Sequence, residues 1–227
     1  MENTLRAGRI VGALIFLQMA GSYVVNFVLE TPLFDPAGFL HTAAPHATQI
    51  AVSALLGIAF GGIWLAIAVT MFAMVRRRSE RLALTLFALA TVCLAISVVE
   101  HMNVMSMLSL SEAYTNAAVA DQGAFQQLKL VVAASRNWAH FTQIILSGCA
   151  MFILYVTLIR FAFVPRVIPL LGLAAVLLQI TSVAMPYFGH SVVFPMLAPL
   201  GLTQLALSLW LLAKGFRDDV SLDTARR

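Results

Sequence analysis

Charged residues are scarce in this sequence. Of its 227 residues only 11% are Asp, Glu, Lys or Arg, whereas 61% are hydrophobic. A soluble domain is about half apolar and carries roughly a quarter charged residues. The shortage of charge therefore excludes a soluble globular enzyme and a disordered chain. What remains is a polytopic membrane protein, since each helical crossing takes about 20 apolar residues.

Cysteine and lysine are also rare, and each shortage excludes a class of function. The two cysteines, Cys93 and Cys149, fall within apolar stretches, so they predict buried thiols rather than a disulfide framework. The two lysines, Lys129 and Lys214, fall at the ends of predicted helices. A retinal Schiff base needs a lysine near the middle of the bilayer, so a retinal protein is excluded as well.

Basic residues outnumber acidic ones, and their positions matter more than their number. The sequence has 14 Lys and Arg against 10 Asp and Glu, for a net charge of +4. No basic patch with interleaved aromatic residues lies outside the apolar stretches, so we expect no nucleic-acid partner. The basic residues cluster at helix ends, where they predict topology and contact with membrane lipids.

Six apolar stretches are long enough to span a bilayer. They are predicted at about 8–29, 48–75, 82–108, 138–163, 166–187 and 195–214. The segment 123–137 has helical character and no helix breaker, so the fourth stretch is predicted to extend into one helix over 123–163. The predicted fold is therefore all-α, with six transmembrane helices in a single domain over residues 1–227.

The distribution of Lys and Arg predicts the orientation of these helices. Twelve of the 14 basic residues lie at the two termini, in the connection between the second and third stretches, or in that between the fourth and fifth. The basic residues after the last stretch are Lys214, Arg217, Arg226 and Arg227. Because cytoplasmic loops are enriched in Lys and Arg, both termini are predicted to be cytoplasmic.

Three segments carry a resemblance to a known family. The longest, His140 to Ile180, has a histidine opening a helix, a short basic turn ending in Pro165-Arg166, and then a long aliphatic helix. The others are the start RAGRIVGALIFLQMAG and the connection RRRSERLALTLFALA. Together they resemble a widespread bacterial family of six-helix integral membrane proteins known only as a domain of unknown function, although Ile168 stands where a glycine is usual. The resemblance implies a six-helix fold in the bacterial inner membrane, and it brings no activity.

Glycines in the second stretch predict close helix packing. The segment GIAFGG contains Gly57, Gly61 and Gly62. Small residues four positions apart let two membrane helices approach each other closely. We therefore expect this face to contact a neighbouring helix, and we expect no nucleotide-binding loop here.

Ionisable residues within the predicted spans gather toward the predicted outer side. Glu100 and His101 lie about two turns below the outer end of the third helix, and Arg136 and His140 lie at the outer start of the fourth. Charged residues in a bilayer face the bundle interior and pair with one another. We therefore expect Glu100 to pair with Arg136, and His101 to face His140. Helical spacing places the following residues on one face of the fourth helix: Lys129, Arg136, His140, Gln143 and Ser147.

Two outer connections carry further histidines. The connection from Glu30 to Ala47 contains His46, and its prolines and aromatic residues predict that it lies on the membrane interface or folds over the bundle. The connection between the fifth and sixth stretches contains His190. We expect both histidines to cap an outward-facing polar pocket.

This predicted pocket would bind a small amphipathic ligand or a lipid, as part of a transporter or an accessory subunit. Its predicted ligand-binding residues are Glu100, His101, Arg136, His140, Gln143, His46 and His190. In this interpretation Arg136 attracts an anionic head group, while Glu100 holds Arg136 in place.

Two other functions are compatible with the same residues. His101 and His140 at similar depth could bind haem iron, or zinc together with Glu100 and a loop histidine, which would make an intramembrane metal- or haem-dependent enzyme. Neither a His-Glu-x-x-His nor a Cys-x-x-Cys-His motif occurs, so spacing does not favour either cofactor. A further hypothesis is a purely structural subunit, in which these polar groups join one helix to another.

Overall fold

Helices dominate the part of the chain that the structure describes. The computed structural model describes residues 2–118 and 122–217, and no β-strand occurs in these ranges. The predicted all-α class is therefore confirmed. The α-helices are α1 (Glu2–Val24), α2 (Phe39–Thr42), α3 (Ala47–Arg76), α4 (Glu80–Asn116), α5 (Gln122–Arg160), α6 (Val167–Ala184) and α7 (Ala198–Lys214).

Six helical segments of the described chain are long and apolar enough to cross a membrane. They are Asn3–Leu29, Ala44–Arg76, Glu80–Asn116, Gln122–Arg160, Val167–Phe188 and Phe194–Lys214. Each coincides with one predicted stretch, and α5 is the single long helix predicted for the fourth. The protein is thus a multi-pass α-helical membrane protein. Arg226 and Arg227, which support the predicted orientation, lie outside the described residues, and that orientation stays a prediction.

The chain forms two compact units that alternate along the sequence. Unit 1 comprises Met1–Met19, Ile63–Cys93 and Ile144–Arg227, whereas unit 2 comprises Ala20–Gly62 and Leu94–Gln143. Four helices, α1, α3, α4 and α5, therefore contribute residues to both units. A single domain over residues 1–227 therefore remains a prediction from the sequence.

In unit 1, a glycine lets α7 approach α1, and a cluster of aromatic rings joins the end of α7 to two helix turns. Ser208 Oγ on α7 donates a hydrogen bond to the carbonyl oxygen of Gly12 on α1 at 2.9 Å, an approach that glycine permits. Beyond α7, Phe216 packs on Phe163 with ring centroids 5.1 Å apart. The guanidinium carbon of Arg78 lies 4.6 Å from the centre of the Phe163 ring. These contacts join the α3–α4 turn, the α5–α6 turn and the end of α7.

The turn from α5 to α6 contains a left-handed residue. Ala162 has a φ of 52°, and the amide of Phe163 closes the end of α5 by donating to the carbonyl oxygen of Leu158 at 3.2 Å. Glycine is the usual residue in this conformation, because a Cβ crowds the following carbonyl group. By the family resemblance, Ile168 stands where a glycine is usual. In the structure, the backbone conformation that favours glycine is found at Ala162 instead.

The connection between α1 and α3 contributes buried residues to the core of unit 2. Leu33, Phe39 and Leu40 from this connection are buried in one cluster with residues of α4 such as Val104. Ser111 on α4 is fully buried, donates to the carbonyl oxygen of Leu40 at 2.9 Å and accepts from the amide of Ala44 at 2.9 Å. Of the two arrangements predicted for the connection, the structure shows the one in which it folds over the helices, and its first residue is drawn inward.

Candidate functional site

Glu30 is placed by a change of helix geometry at the end of α1. Val25–Leu29 form a π-helical turn, which is wider than an α-helical turn and is common at functional sites. The amide of Glu30 closes this turn on the carbonyl oxygen of Val25 at 2.9 Å, and Gln49 Nε2 on α3 donates to the carbonyl oxygen of Leu29 at 2.9 Å. The helix end is thereby tied to α3, and Glu30 is 0% exposed.

Glu30 and Arg136 form a buried ion pair. Arg136 Nη2 on α5 donates to Glu30 Oε2 at 2.6 Å, and the two side chains are 5% and 0% exposed. Glu100 Oε1 on α4 lies 3.7 Å from the same nitrogen atom. The ring of Phe34 covers the guanidinium, with its centre 4.8 Å from the guanidinium carbon. One cation is therefore held between two carboxylates, away from solvent.

Two histidines extend this ion pair into a network. His140 Nδ1 lies 2.6 Å from Glu100 Oε1, and its side chain is 24% exposed. His101 Nδ1 donates to the carbonyl oxygen of Ser97 at 2.7 Å, which leaves Nε2 facing Glu30 Oε1 at 3.9 Å. Each carboxylate thus contacts Arg136 and faces one imidazole. We call the following residues the ionic network: Glu30, Glu100, His101, Arg136 and His140.

Four members of the ionic network are predicted from the sequence, and Glu30 is not. The predicted pair of Glu100 and Arg136 is present at 3.7 Å, but the closer partner of Arg136 is Glu30 at 2.6 Å. A signal for Glu30 exists in the sequence, because it lies four residues after Asn26 and eight after Ser22. Glu30 therefore continues the polar face of the first helix, one residue beyond the end predicted for that helix.

The three other predicted binding residues are not members of the ionic network. His46 is exposed, and its Nδ1 lies 2.9 Å from the carbonyl oxygen of Thr42 one turn earlier. Gln143 is half-buried, and its side-chain amide makes no hydrogen bond to another described residue. His190 is exposed and belongs to unit 1. A polar pocket capped by His46 and His190 stays a prediction.

The metal and haem predictions rest on His101 and His140. Both histidines already use Nδ1, with Ser97 and Glu100 respectively. A structural zinc site takes four protein ligands, and a catalytic zinc site takes three. Within residues 2–118 and 122–217, no group of three or more His, Cys, Asp or Glu side chains could hold a metal ion. Binding of zinc or haem by the two histidines stays a prediction.

Glycines of α3 make room for the α4 side of the network. A Cβ on Gly57 would overlap Nε2 of His101, and a Cβ on Gly61 would overlap the side chain of Ser97. Ser97 Oγ donates to the carbonyl oxygen of Gly57 at 3.3 Å. Gly62 is less crowded, since a Cβ there would meet a single atom at 4.0 Å. The predicted close packing is confirmed for Gly57 and Gly61.

A groove lies between α3 and α4, and we call it the α3–α4 groove. Its volume is about 760 Å³, which is within the range of small-molecule sites. The small residues Ala51, Ala54 and Ala113 leave the space between the two helices. Leu55 and Met102, at its opening, are 71% and 63% exposed, so the groove opens on the exposed surface of the helices of unit 2.

Three polar residues line the α3–α4 groove, all of them on α4. His101 is 6% exposed and belongs both to the ionic network and to the groove wall. Ser106 and Ser109 lie further along the same face, toward Asn116. The remaining lining residues carry apolar side chains. The groove is therefore apolar with a few uncharged polar groups, which is the usual character of a ligand site.

These features define a class of protein: a polytopic α-helical membrane protein with a buried ionic network beside an apolar groove. Residues 10–215 match the family model described as Domain of unknown function (DUF4386), and the chain belongs to this family. The resemblance seen in the sequence is thus confirmed. No curated protein matches the chain, and no solved structure matches it either.

Proposed function

We propose that this protein binds a lipid or another small amphipathic molecule of the bilayer in the α3–α4 groove. The groove itself is the observation that carries the proposal. It offers about 760 Å³ of mainly apolar space and opens between Leu55 and Met102, on helix surfaces that a membrane-spanning chain presents to lipid. An apolar molecule entering from the bilayer loses no hydration there, so shape and the few polar groups select it.

The ionic network has a supporting role in this proposal. Glu30, Glu100 and Arg136 are at most 4% exposed, and none of them lines the groove. Arg136 donates to Glu30 and lies outside the groove, so this proposal gives it no anionic head group to bind. The network instead holds α4 and α5 in position and fixes the ring of His101 at the groove wall.

We place the protein in the bacterial inner membrane with both termini in the cytoplasm. The Lys and Arg distribution supports this orientation, and the family resemblance supports the membrane. In this orientation the Asn116 end of α4 lies on the outer side, and Ser106 and Ser109 lie nearer to that surface than His101 does. The bound molecule would be carried across, or presented to a partner, from the outer leaflet.

The test fills the groove with a bulky side chain. Ala113 lines the groove and is exposed, so Ala113→Trp should occupy the space without disturbing the core. Ala88 is an exposed alanine of the same helix outside the groove, which makes Ala88→Trp the matched control. We expect native mass spectrometry to show a co-purified amphipathic molecule on the wild type and on Ala88→Trp, with about tenfold less on Ala113→Trp.

Other results would contradict this function. Equal retention of the molecule by Ala113→Trp and Ala88→Trp would place its site outside the groove. The absence of any bound organic molecule from all three proteins would favour the structural subunit. A bound haem or metal ion that is lost when His101 and His140 are both changed to Ala would favour the enzyme.

A further inference from the structure

The α3–α4 groove contains no counter-charge for an ionic ligand. Apart from His101, whose Nε2 faces Glu30 at 3.9 Å, none of the residues that line it has an ionisable side chain. A charged group buried in an apolar site without a partner is strongly disfavoured, because it loses its hydration and gains nothing in return. The groove therefore selects against a charged head group in its interior.

The charges next to the groove form ion pairs with one another, although Arg136 Nε and Glu30 Oε1 have no hydrogen-bond partner among the described residues. Arg136 Nη2 lies 2.6 Å from Glu30 Oε2, and Glu100 Oε1 lies 2.6 Å from His140 Nδ1. The side chains of Glu30, Glu100 and Arg136 are between 0% and 5% exposed. A ligand that recruited one of these groups would leave its present partner buried and unpaired, which is a large penalty.

Ser106 and Ser109 are the polar groups that a ligand can reach. They are exposed, lie three residues apart, and therefore share one face of α4. Ser106 Oγ donates to the carbonyl oxygen of Met102 at 2.9 Å, so its oxygen can still accept a hydrogen bond. The Ser109 hydroxyl makes no hydrogen bond to another described residue, so it can both donate and accept. Together they suit a hydroxyl or ester group.

The length of the groove matches one leaflet. The lining residues of α4 run from His101 to Ala113, which is about 18 Å along the helix at 1.5 Å per residue. The hydrocarbon core of a bilayer is about 30 Å thick, so this is roughly half of it. Ser109 and Ser106 lie about 6 Å and about 10 Å from the Ala113 end of the groove, so the two serines occupy its outer and middle parts and the apolar wall continues beyond them along Met102.

From these four observations we infer that the molecule in the α3–α4 groove is an uncharged lipid whose hydroxyl or ester oxygens bind Ser106 and Ser109. The inference rests on the proposed function, and it adds the chemical class of the ligand. The acyl chain lies along Met102 toward His101, and the polar end stays at the level of the two serines. Lipids with a phosphate at the same position are excluded from the groove by the lack of a counter-charge.

A matched pair of lipids tests this inference. Dioleoylglycerol and dioleoyl phosphatidic acid share both acyl chains and the glycerol, and they differ by a hydroxyl against a phosphate. Delipidated full-length protein in detergent receives equal amounts of both, and native mass spectrometry counts bound lipid, with Ala113→Trp as the background. We expect the wild type to hold about tenfold more dioleoylglycerol than phosphatidic acid above that background.

Two serine variants sharpen the test. Combined Ser106→Ala and Ser109→Ala should lower binding of dioleoylglycerol several-fold, because its hydroxyl and ester groups lose their partners. Ser109→Lys introduces the missing counter-charge at an exposed position, so it should reverse the preference toward phosphatidic acid.

The outcomes separate the inference from the proposed function. If both lipids bind equally above the Ala113→Trp background, the groove is a lipid site and the inference about charge is wrong. If phosphatidic acid is preferred by the wild type, the inference is also wrong. If neither lipid exceeds the background, the proposed lipid-binding function of the groove fails as well.

Discussion

At the scale of single residues, Glu30 determines how the buried charges of unit 2 are arranged. Its carboxylate accepts from Arg136 at 2.6 Å, which leaves Glu100 to bind His140 at 2.6 Å. Each ionised group thus has an oppositely charged or hydrogen-bonding neighbour in a region where water is scarce. Because removal of one partner leaves the other buried and unpaired, a buried pair of this kind is sensitive to single substitutions.

We expect Arg136→Met to lower the free energy of unfolding by about 3–5 kcal/mol, because it leaves Glu30 and Glu100 buried without their cation. Combined Glu30→Gln and Arg136→Met should cost less than the sum of the two single changes, since the pair is coupled. Thermal and denaturant unfolding in detergent measure both effects.

The matched control is Arg76→Met. Arg76 pairs with Glu80 at 3.2 Å, but both side chains are about 60% exposed, so we expect its loss to cost at most about 0.5 kcal/mol. Equal effects of Arg136→Met and Arg76→Met would show that the ionic network does not stabilise the fold.

At the scale of helices, the packing of α3 on α4 depends on where small residues lie. Gly57 and Gly61 face His101 and Ser97 and permit close approach of the two helices. Further along, Ala54 and Ala113 leave the α3–α4 groove open. The same pair of helices therefore forms a tight contact at one level and a cavity at another.

Gly57→Ala tests the tight contact. The new Cβ would overlap the ring of His101, so we expect a loss of about 1–3 kcal/mol in unfolding free energy and displacement of the ring. Gly62→Ala on the same helix meets a single atom at 4.0 Å and should be neutral or slightly stabilising. Unfolding in detergent compares the two variants, and equal stabilities would contradict the assigned contact.

At the scale of the whole molecule, six membrane-spanning segments and the Lys and Arg distribution together predict the topology. With the termini in the cytoplasm, the α1–α3 connection lies outside and the α3–α4 turn lies inside. Ala37 and Glu80 are exposed residues in or beside these two segments. They therefore report on opposite faces of the membrane.

Cysteine labelling measures this topology. In a protein with Cys93 and Cys149 replaced by alanine, we expect Ala37→Cys to react with a membrane-impermeant maleimide in intact cells. Glu80→Cys should react only after the membrane is permeabilised, because the Lys and Arg distribution predicts that the basic turn is cytoplasmic. Labelling of Glu80→Cys from outside, with protection of Ala37→Cys, would reverse the orientation.

Much of the fold follows from the sequence, because a bilayer places strict demands on a chain. A span needs about 20 apolar residues and must satisfy its backbone hydrogen bonds internally, so composition alone identifies the six helices. Helical spacing likewise indicates that Arg136 and His140 share a face, and the structure leaves them buried and half-buried respectively. The glycine pattern also predicts the contact at Gly57.

The sequence predicts the contact of Arg136 with Glu100, but only the tertiary structure decided that Glu30 is the closer partner of Arg136. Glu30 and Arg136 are 106 positions apart, and their pairing requires the π-helical end of α1 and the inward fold of the connection after it. No local periodicity encodes such a contact, because it depends on how distant segments pack. The α3–α4 groove has the same origin, since no single helix contains it and its wall combines residues of α3 and α4 with Val132 of α5. Sequence thus determined the spans through the bilayer's demand for apolar length, while packing between distant segments determined which charges meet and where space remains.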